Sequence, residues 1–294
     1  MSRYLSETDL TIMKMVAVKS ERPSSLAGDI GVTLSTVSLS ISHMVEIGLL
    51  KCTRSGRARY VGLQENEMGN KLKTFIIGNR NIDIVELFKG NGLLMLISMS
   101  GTGSTMIEIQ VQTGLTRSTI IKYLKKWRRM GIIWKAGHGG RYTISSNYPD
   151  LEVFLSLYSR YRLLEDLQKD LDDHLILFND EEMVIFACED TIDQKKYKPA
   201  AYSHLASMGY DVVADKEYYL YRRSGKRIGD TEAVIQAMRI DTLNPRPRRL
   251  LRKMIIEGKT DGSELSRLSE RYGIEEIVDN EVKRIEGKKE VQYR

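Results

Sequence analysis

A seven-residue phrase that occurs twice constrains this chain more than any other feature. Gly31-Val32-Thr33-Leu34-Ser35-Thr36-Val37 returns as Gly114-Leu115-Thr116-Arg117-Ser118-Thr119-Ile120, at a spacing of 114 − 31 = 83 residues. The glycine stop that follows keeps that spacing, Gly48-Leu49-Leu50 against Gly131-Ile132-Ile133. Arg59-Tyr60 and Arg141-Tyr142 lie 82 apart, which predicts a second hairpin one residue shorter than the first. Register held across a helix and both its ends implies an internal duplication, or two related domains in tandem.

Within the second copy, Thr116 can offer its side-chain oxygen to the free N–H groups of a first helical turn. Ile120, Leu124 and Trp127 recur at helical spacing and predict a buried stripe. Gly131 stands where a left-handed residue ends a helix, and Ile132-Ile133 opens a short strand. The opposite side carries Arg117, Lys122, Lys125, Lys126, Arg128 and Arg129, with no carboxylate between 117 and 129. A helix apolar on one side and uniformly cationic on the other suits a polyanion. The arrangement resembles the recognition helix and wing of a winged helix-turn-helix DNA-binding domain. The motif Thr-x-Ser-Thr-Val/Ile, a spacer, then Gly-Leu/Ile-Leu/Ile is similar in both copies to the prokaryotic MarR-like and ArsR-like regulators, and the architecture to archaeal ones. That resemblance, over roughly the first half of the chain, implies transcriptional regulation by dimers on palindromic sites in double-stranded DNA.

The expected fold is therefore mainly α with small β wings: two winged helix-turn-helix domains plus a C-terminal α+β domain. Residues 1–64 form the first, 65–90 a helical connector interrupted at Gly69 and Gly78, and 91–148 the second. In the second, Ser104 is expected to cap the helix reaching Thr113. Residues 149–172 form a long helix after Pro149, with Phe154, Leu157, Tyr161, Leu164, Leu167 and Leu171 as its stripe. That stripe either packs on the same chain or joins a homodimer. Residues 173–294 form the C-terminal sensing or partner-binding domain. Strands are expected at 175–178, 183–188, 211–214 and 217–223, a helix at 200–208, and four closing helices.

Bulk composition limits the reading without deciding it. The 45 basic and 39 acidic residues give +6 and a pI near 9.1, so where the charges sit matters more than their sum. Cys52 and Cys188, far apart, argue against a disulfide framework and for a reducing compartment. The histidines do not cluster at ligand spacings, so no metal and no cofactor is expected. No leader and no apolar run of membrane length is visible, which predicts a cytoplasmic protein with no membrane partner.

Docking of the recognition helix nominates Arg117, Ser118, Ile121, Lys122 and Lys125 for the major groove, Arg117 for a bidentate contact to guanine. Lys125, Lys126 and Arg129 suit phosphates. Lys135, His138 and Arg141 follow from the second wing. The first copy offers Ser35, Thr36, Ser38 and Ser42, poor in cations, while Leu39, Val45 and Ile47 lie beyond its core stripe. Its wing carries Arg54, Arg57 and Arg59. The first copy thus either touches DNA, chiefly by its wing, or contacts protein. The cluster Arg246, Arg248, Arg249, Arg252 and Lys253 is either a solvated helix face or a site for an acidic partner or a phosphate backbone.

Ser100-Gly101-Thr102-Gly103-Ser104 lacks the Lys-Ser or Lys-Thr of a phosphate-binding loop. No nucleophile arrangement is present either, and the chain is read as a non-enzyme. Lys198 to Gly209 looks like the small-residue stretch of the abortive-infection antitoxins, which implies an antitoxin-type regulator with a toxin or other protein partner as the alternative. A plasmid-type replication initiator is a further one, and a nucleotidyltransferase-like domain using Asp190 and Asp193 a third.

Overall fold

A computed structural model describes residues 5–136, 140–189, 192–214, 216–222 and 227–292. The chain is mainly helical with small antiparallel sheets, and divides into two compact units, 1–166 and 167–294. Among the described residues no helix is long and apolar enough to cross a membrane.

The first unit opens with α1 (Glu7–Val18), where Ser6 and Asp9 form a reciprocal capping box. Then come α2 (Pro23–Ile30), α3 (Leu34–Glu46), and the hairpin of β1 (Leu50–Ser55) and β2 (Ala58–Leu63). The connector is α4 (Glu67–Gly78) and α5 (Ile84–Phe88). Gly69 does not interrupt α4. It lies inside the helix, where a Cβ would overlap the Gln64 carbonyl, so glycine is what permits the close approach.

The second series is α6 (Gly92–Ile97), α7 (Met106–Thr113), α8 (Arg117–Arg129), and the hairpin of β3 (Ile133–Ala136) and β4 (Arg141–Ile144). Adding 83 to the bounds of α2 and α3 gives the bounds of α7 and α8 to the residue. Gly31 and Gly114 are left-handed at φ 75° and 67°, and Gly48 and Gly131 both at 71°. The stripes match as well, Val37, Ile41 and Met44 against Ile120, Leu124 and Trp127, all buried. Each hairpin gains a third edge through one two-way bridge. Glu21 exchanges both backbone bonds with Val61 (3.0 and 2.8 Å), and Ser104 with Tyr142 (2.9 and 2.8 Å).

The hairpins correct two expectations. Leu50 pairs with Leu63 and Ile133 with Ile144, so the second hairpin is shorter by two residues, and Tyr60 matches Arg141. A difference of one would turn every side chain of the second strand to the wrong face, and two restores it. Ser104 is the bridging residue and does not cap α7. Thr105 caps it, in a capping box with Glu108. The preceding Gly103, at φ 71°, passes against β4 so closely that a Cβ would overlap Thr143, which explains the glycine-rich run.

The helix α9 (Pro149–Gln168) follows. Leu151, Phe154, Leu155 and Tyr158 belong to the first unit's core, and Leu157 and Tyr161 pack against it. Along that stretch the stripe packs on the same chain, the first of the two alternatives.

In the second unit β5 (Leu175–Asn179), β6 (Met183–Cys188), β7 (Lys198–Pro199) and β8 (Glu217–Arg222) form one antiparallel sheet, in the order β5-β6-β8-β7. Residues 211–214 form no strand, and the two-residue β7 takes the edge beside β8. The helices α10 (Ala201–Ser207), α11 (Asp230–Ile240), α12 (Pro245–Ile256), α13 (Gly262–Tyr272) and α14 (Glu275–Gln292) complete it. The arginine cluster on α12 is largely spoken for. Arg248 (3.7 Å) and Arg252 meet the buried Glu281 of α14, which Arg284 also reaches at 3.1 Å. Arg246 and Arg249 remain exposed.

Candidate functional site

The helix α8 is fixed by its cap and by its buried stripe. Thr116 accepts from the Thr119 amide at 3.4 Å, and its hydroxyl meets those of Ser118 (3.1 Å) and Thr119 (2.9 Å). Ile120, Leu124 and Trp127 are buried, and the Tyr123 ring lies 5.1 Å from that of Trp127. These contacts leave one side of the helix to solvent and forbid it from rolling.

On that side Arg117, Lys122, Lys125, Arg128 and Arg129 are exposed. Among the described residues none of the five side chains has an ion-pair or hydrogen-bond partner. Lys126 differs, since it reaches the Glu86 carboxylate and carbonyl, both at 3.2 Å. Lys89 and Lys126 on that carboxylate hold Glu86 below the ordinary glutamate range. Three cations in the last turn suit the negative end of the helix dipole, whereas Arg117 stands in the first turn beside the positive end. A hydrogen-bond acceptor or an anion there would relieve that placement. Ile121 is half-buried and Ser118 exposed.

The second hairpin assigns its residues unequally. Lys135 Nζ lies 5.8 Å above the Tyr142 ring, a cation–π contact. Arg141 is a latch and not an outward cation: it pairs with Glu108 at 3.1 Å and donates to the carbonyls of Gly103 (2.7 Å) and Thr102 (3.2 Å). Burial pushes Glu108 up, but the Thr105 amide and Arg141 outweigh it and hold the carboxyl below the ordinary range. His138 lies outside the described residues. Sequence reasoning passed over Trp134, which is 56% exposed beside this surface. The strand alternation Ile133 in, Trp134 out was the signal for it.

The first repeat holds the same frame with a different surface. Ser35 and Thr36 share their hydroxyls with Thr33 at 2.8 and 2.9 Å, so both serve the helix start. Ser38 and Ser42 are exposed. Leu39 and Val45 face solvent as expected, but Ile47 is buried. Arg54 and Arg57 are exposed without a partner among the described residues, and Arg59 donates to the Cys52 sulfur at 2.9 Å. Beneath α3, His43 Nδ1 stands 3.6 Å from the buried Asp9 carboxylate.

No family model matches this chain, and no curated protein matches it. The residues above, with their geometry and charge, carry the functional reading. Among those described, no three or more His, Cys, Asp or Glu side chains gather as a metal-holding group. Asp190 of the acidic group near residue 190 lies outside the described residues.

Proposed function

We propose that this chain is a DNA-binding transcriptional regulator in which each repeat is a winged helix-turn-helix unit and α8 enters the major groove. One observation carries the reading: five exposed, unpaired cations on one side of a helix whose other side is locked into a core. An α-helix fits the major groove, and such a row meets the phosphates that line it. Arg117 at the helix start is placed for a base edge, and Lys122, Lys125 and Arg129 for phosphates. The described cations of the second wing are divided: Lys135 extends the surface, while Arg141 supports it from behind.

In this reading the protein acts as a dimer in the cytoplasm, and residues 167–294 serve sensing or partner binding. The antitoxin-type regulator and the replication initiator remain the alternatives, separated by co-purification with a toxin-like partner or by origin-specific binding. Binding of the folded chain to random duplex at low salt tests the central claim. Affinity should fall steeply as salt rises, in proportion to the phosphates neutralised. A folded chain that ignores duplex DNA at low salt ends the proposal.

A further inference from the structure

The first repeat carries, where α8 is cationic, a surface of another kind. Leu34, Leu39 and Val45 of α3 occupy the positions of Arg117, Lys122 and Arg128, and are exposed to 51%, 69% and 40%. Leu34 and Val45 lie about three helical turns apart and share a side of the helix, while Leu39 stands about 120–140° around it. The duplicate shows that the frame does not demand apolar residues here. Their exposure to water is unfavourable and would be relieved by an apolar partner.

Beside Leu34 a groove of about 620 Å³ runs between the start of α2 and the hairpin, lined by Arg22, Pro23, Leu34, Arg57 and Arg59 with no carboxylate. Arg22 is stacked 5.4 Å over the Tyr60 ring and donates to its hydroxyl at 3.1 Å, which steadies one wall. Arg54 and Arg59 stand directly opposite each other across the hairpin, and like charges in that relation repel. An anionic occupant would relieve the repulsion. Phosphate alone would satisfy the arginines and leave the leucines wet. Carboxylates carried on a chain that also bears apolar side chains satisfy both.

We propose that the first repeat is a protein-docking module, whose arginine-lined groove and apolar α3 side receive an acidic, leucine-bearing segment of a partner protein. The proposal does not depend on the reading of α8, because a peptide can bind here whether or not duplex binds there.

The test uses the full chain and a labelled synthetic amphipathic peptide, glutamates on one side and leucines on the other, with fluorescence anisotropy as readout. The wild-type chain should bind it. Arg57→Glu with Arg59→Glu should weaken that binding at least about tenfold, through lost charge complementarity. Leu34→Arg with Val45→Arg, which copies the second repeat's residues on that side of the helix, should weaken it comparably by removing the apolar contact. Lys122→Glu with Lys125→Glu should leave it unchanged, excluding capture of the peptide by α8. Circular dichroism checks that each variant is folded. Three results overturn the inference: no binding by the folded wild type, binding lost through Lys122 and Lys125 and not through the groove, or binding indifferent to all three sets. A fourth is loss of duplex affinity in the Arg57/Arg59 variant equal to that in the Lys122/Lys125 variant, which would make the first repeat a DNA contact.

Discussion

Where the first repeat places Leu34, Leu39, Val45 and Glu46, the second places Arg117, Lys122, Arg128 and Arg129. Where the first buries Val37, Ile41 and Met44, the second buries Ile120, Leu124 and Trp127. Inward positions keep their character because packing demands it, and a helix must lay its apolar stripe on a core. Outward positions answer to no such demand, so their divergence records what each surface meets. Glu46 against Arg129 is the clearest case, a carboxylate in one copy and a guanidinium in the other on the same turn of the same helix. The latches diverge too while keeping their purpose. Arg22 holds Tyr60 in the first repeat, and Glu108 holds the matching Arg141 in the second.

The comparison breaks first if the shared frame is not shared in energy. Trp127→Ala should cost about 3–5 kcal/mol and Met44→Ala about 2–5 kcal/mol in denaturant unfolding, each by opening a cavity in a buried stripe. A negligible loss in either would mean that repeat does not rest on the same stripe. Next comes the divergence itself. Lys122→Glu, Lys125→Glu and Arg129→Glu together should lower duplex affinity about a hundredfold and flatten its salt dependence. The matching Leu39→Glu with Ser42→Glu should change it little. Equal losses would erase the distinction between the repeats.

A smaller effect is the response of each repeat to acid. Burial pushes Asp9 up, yet His43, the Ser6 amide and Ser40 hold its carboxyl below the ordinary 3.8. A depressed folded value contributes stability above the unfolded value and loses it as pH falls through the folded one. Asp9→Asn should therefore cost about 1–2 kcal/mol near neutral pH and nothing in strong acid, read by unfolding at several pH values. The second repeat has Gly92 at the matching position and carries its depressed carboxyl elsewhere, at Glu108 of α7, so Glu108→Gln should show the corresponding loss. The smallest effect should also be the most equal: Gly31→Ala and Gly114→Ala should each cost about 1 kcal/mol, since both need a left-handed turn. Unequal costs would show that the turns are not equivalent.

Much of the first unit was legible because its signals are local. Caps, glycine stops and the 3.6-residue stripe sit within a few residues of what they govern, and they give α3 and α8 closely. Hairpin parity was not legible. The tempting match of Arg59-Tyr60 to Arg141-Tyr142 ignores face alternation, which only pairing across strands enforces. Long-range partners were hidden for the same reason. Nothing near Arg141 announces Glu108, nothing near Lys126 announces Glu86, and Glu281 lies far along the chain from Arg248 and Arg252. The row Arg117, Lys122, Lys125 and Arg129 was readable because the absence of carboxylates on α8 is itself local. In the second unit β7 is two residues long, too short for any alternation to reveal.

The anchored base of each hairpin has a consequence for how such a chain can change. A ribbon anchored at its base by the Glu21–Val61 or Ser104–Tyr142 bridge has one inward and one outward face, and its tip is where length varies most freely. Length changes confined to the tip leave the pairing at the base, and with it the buried face, where it was. The two hairpins, two residues apart in length on equally anchored bases, already differ in that permitted way.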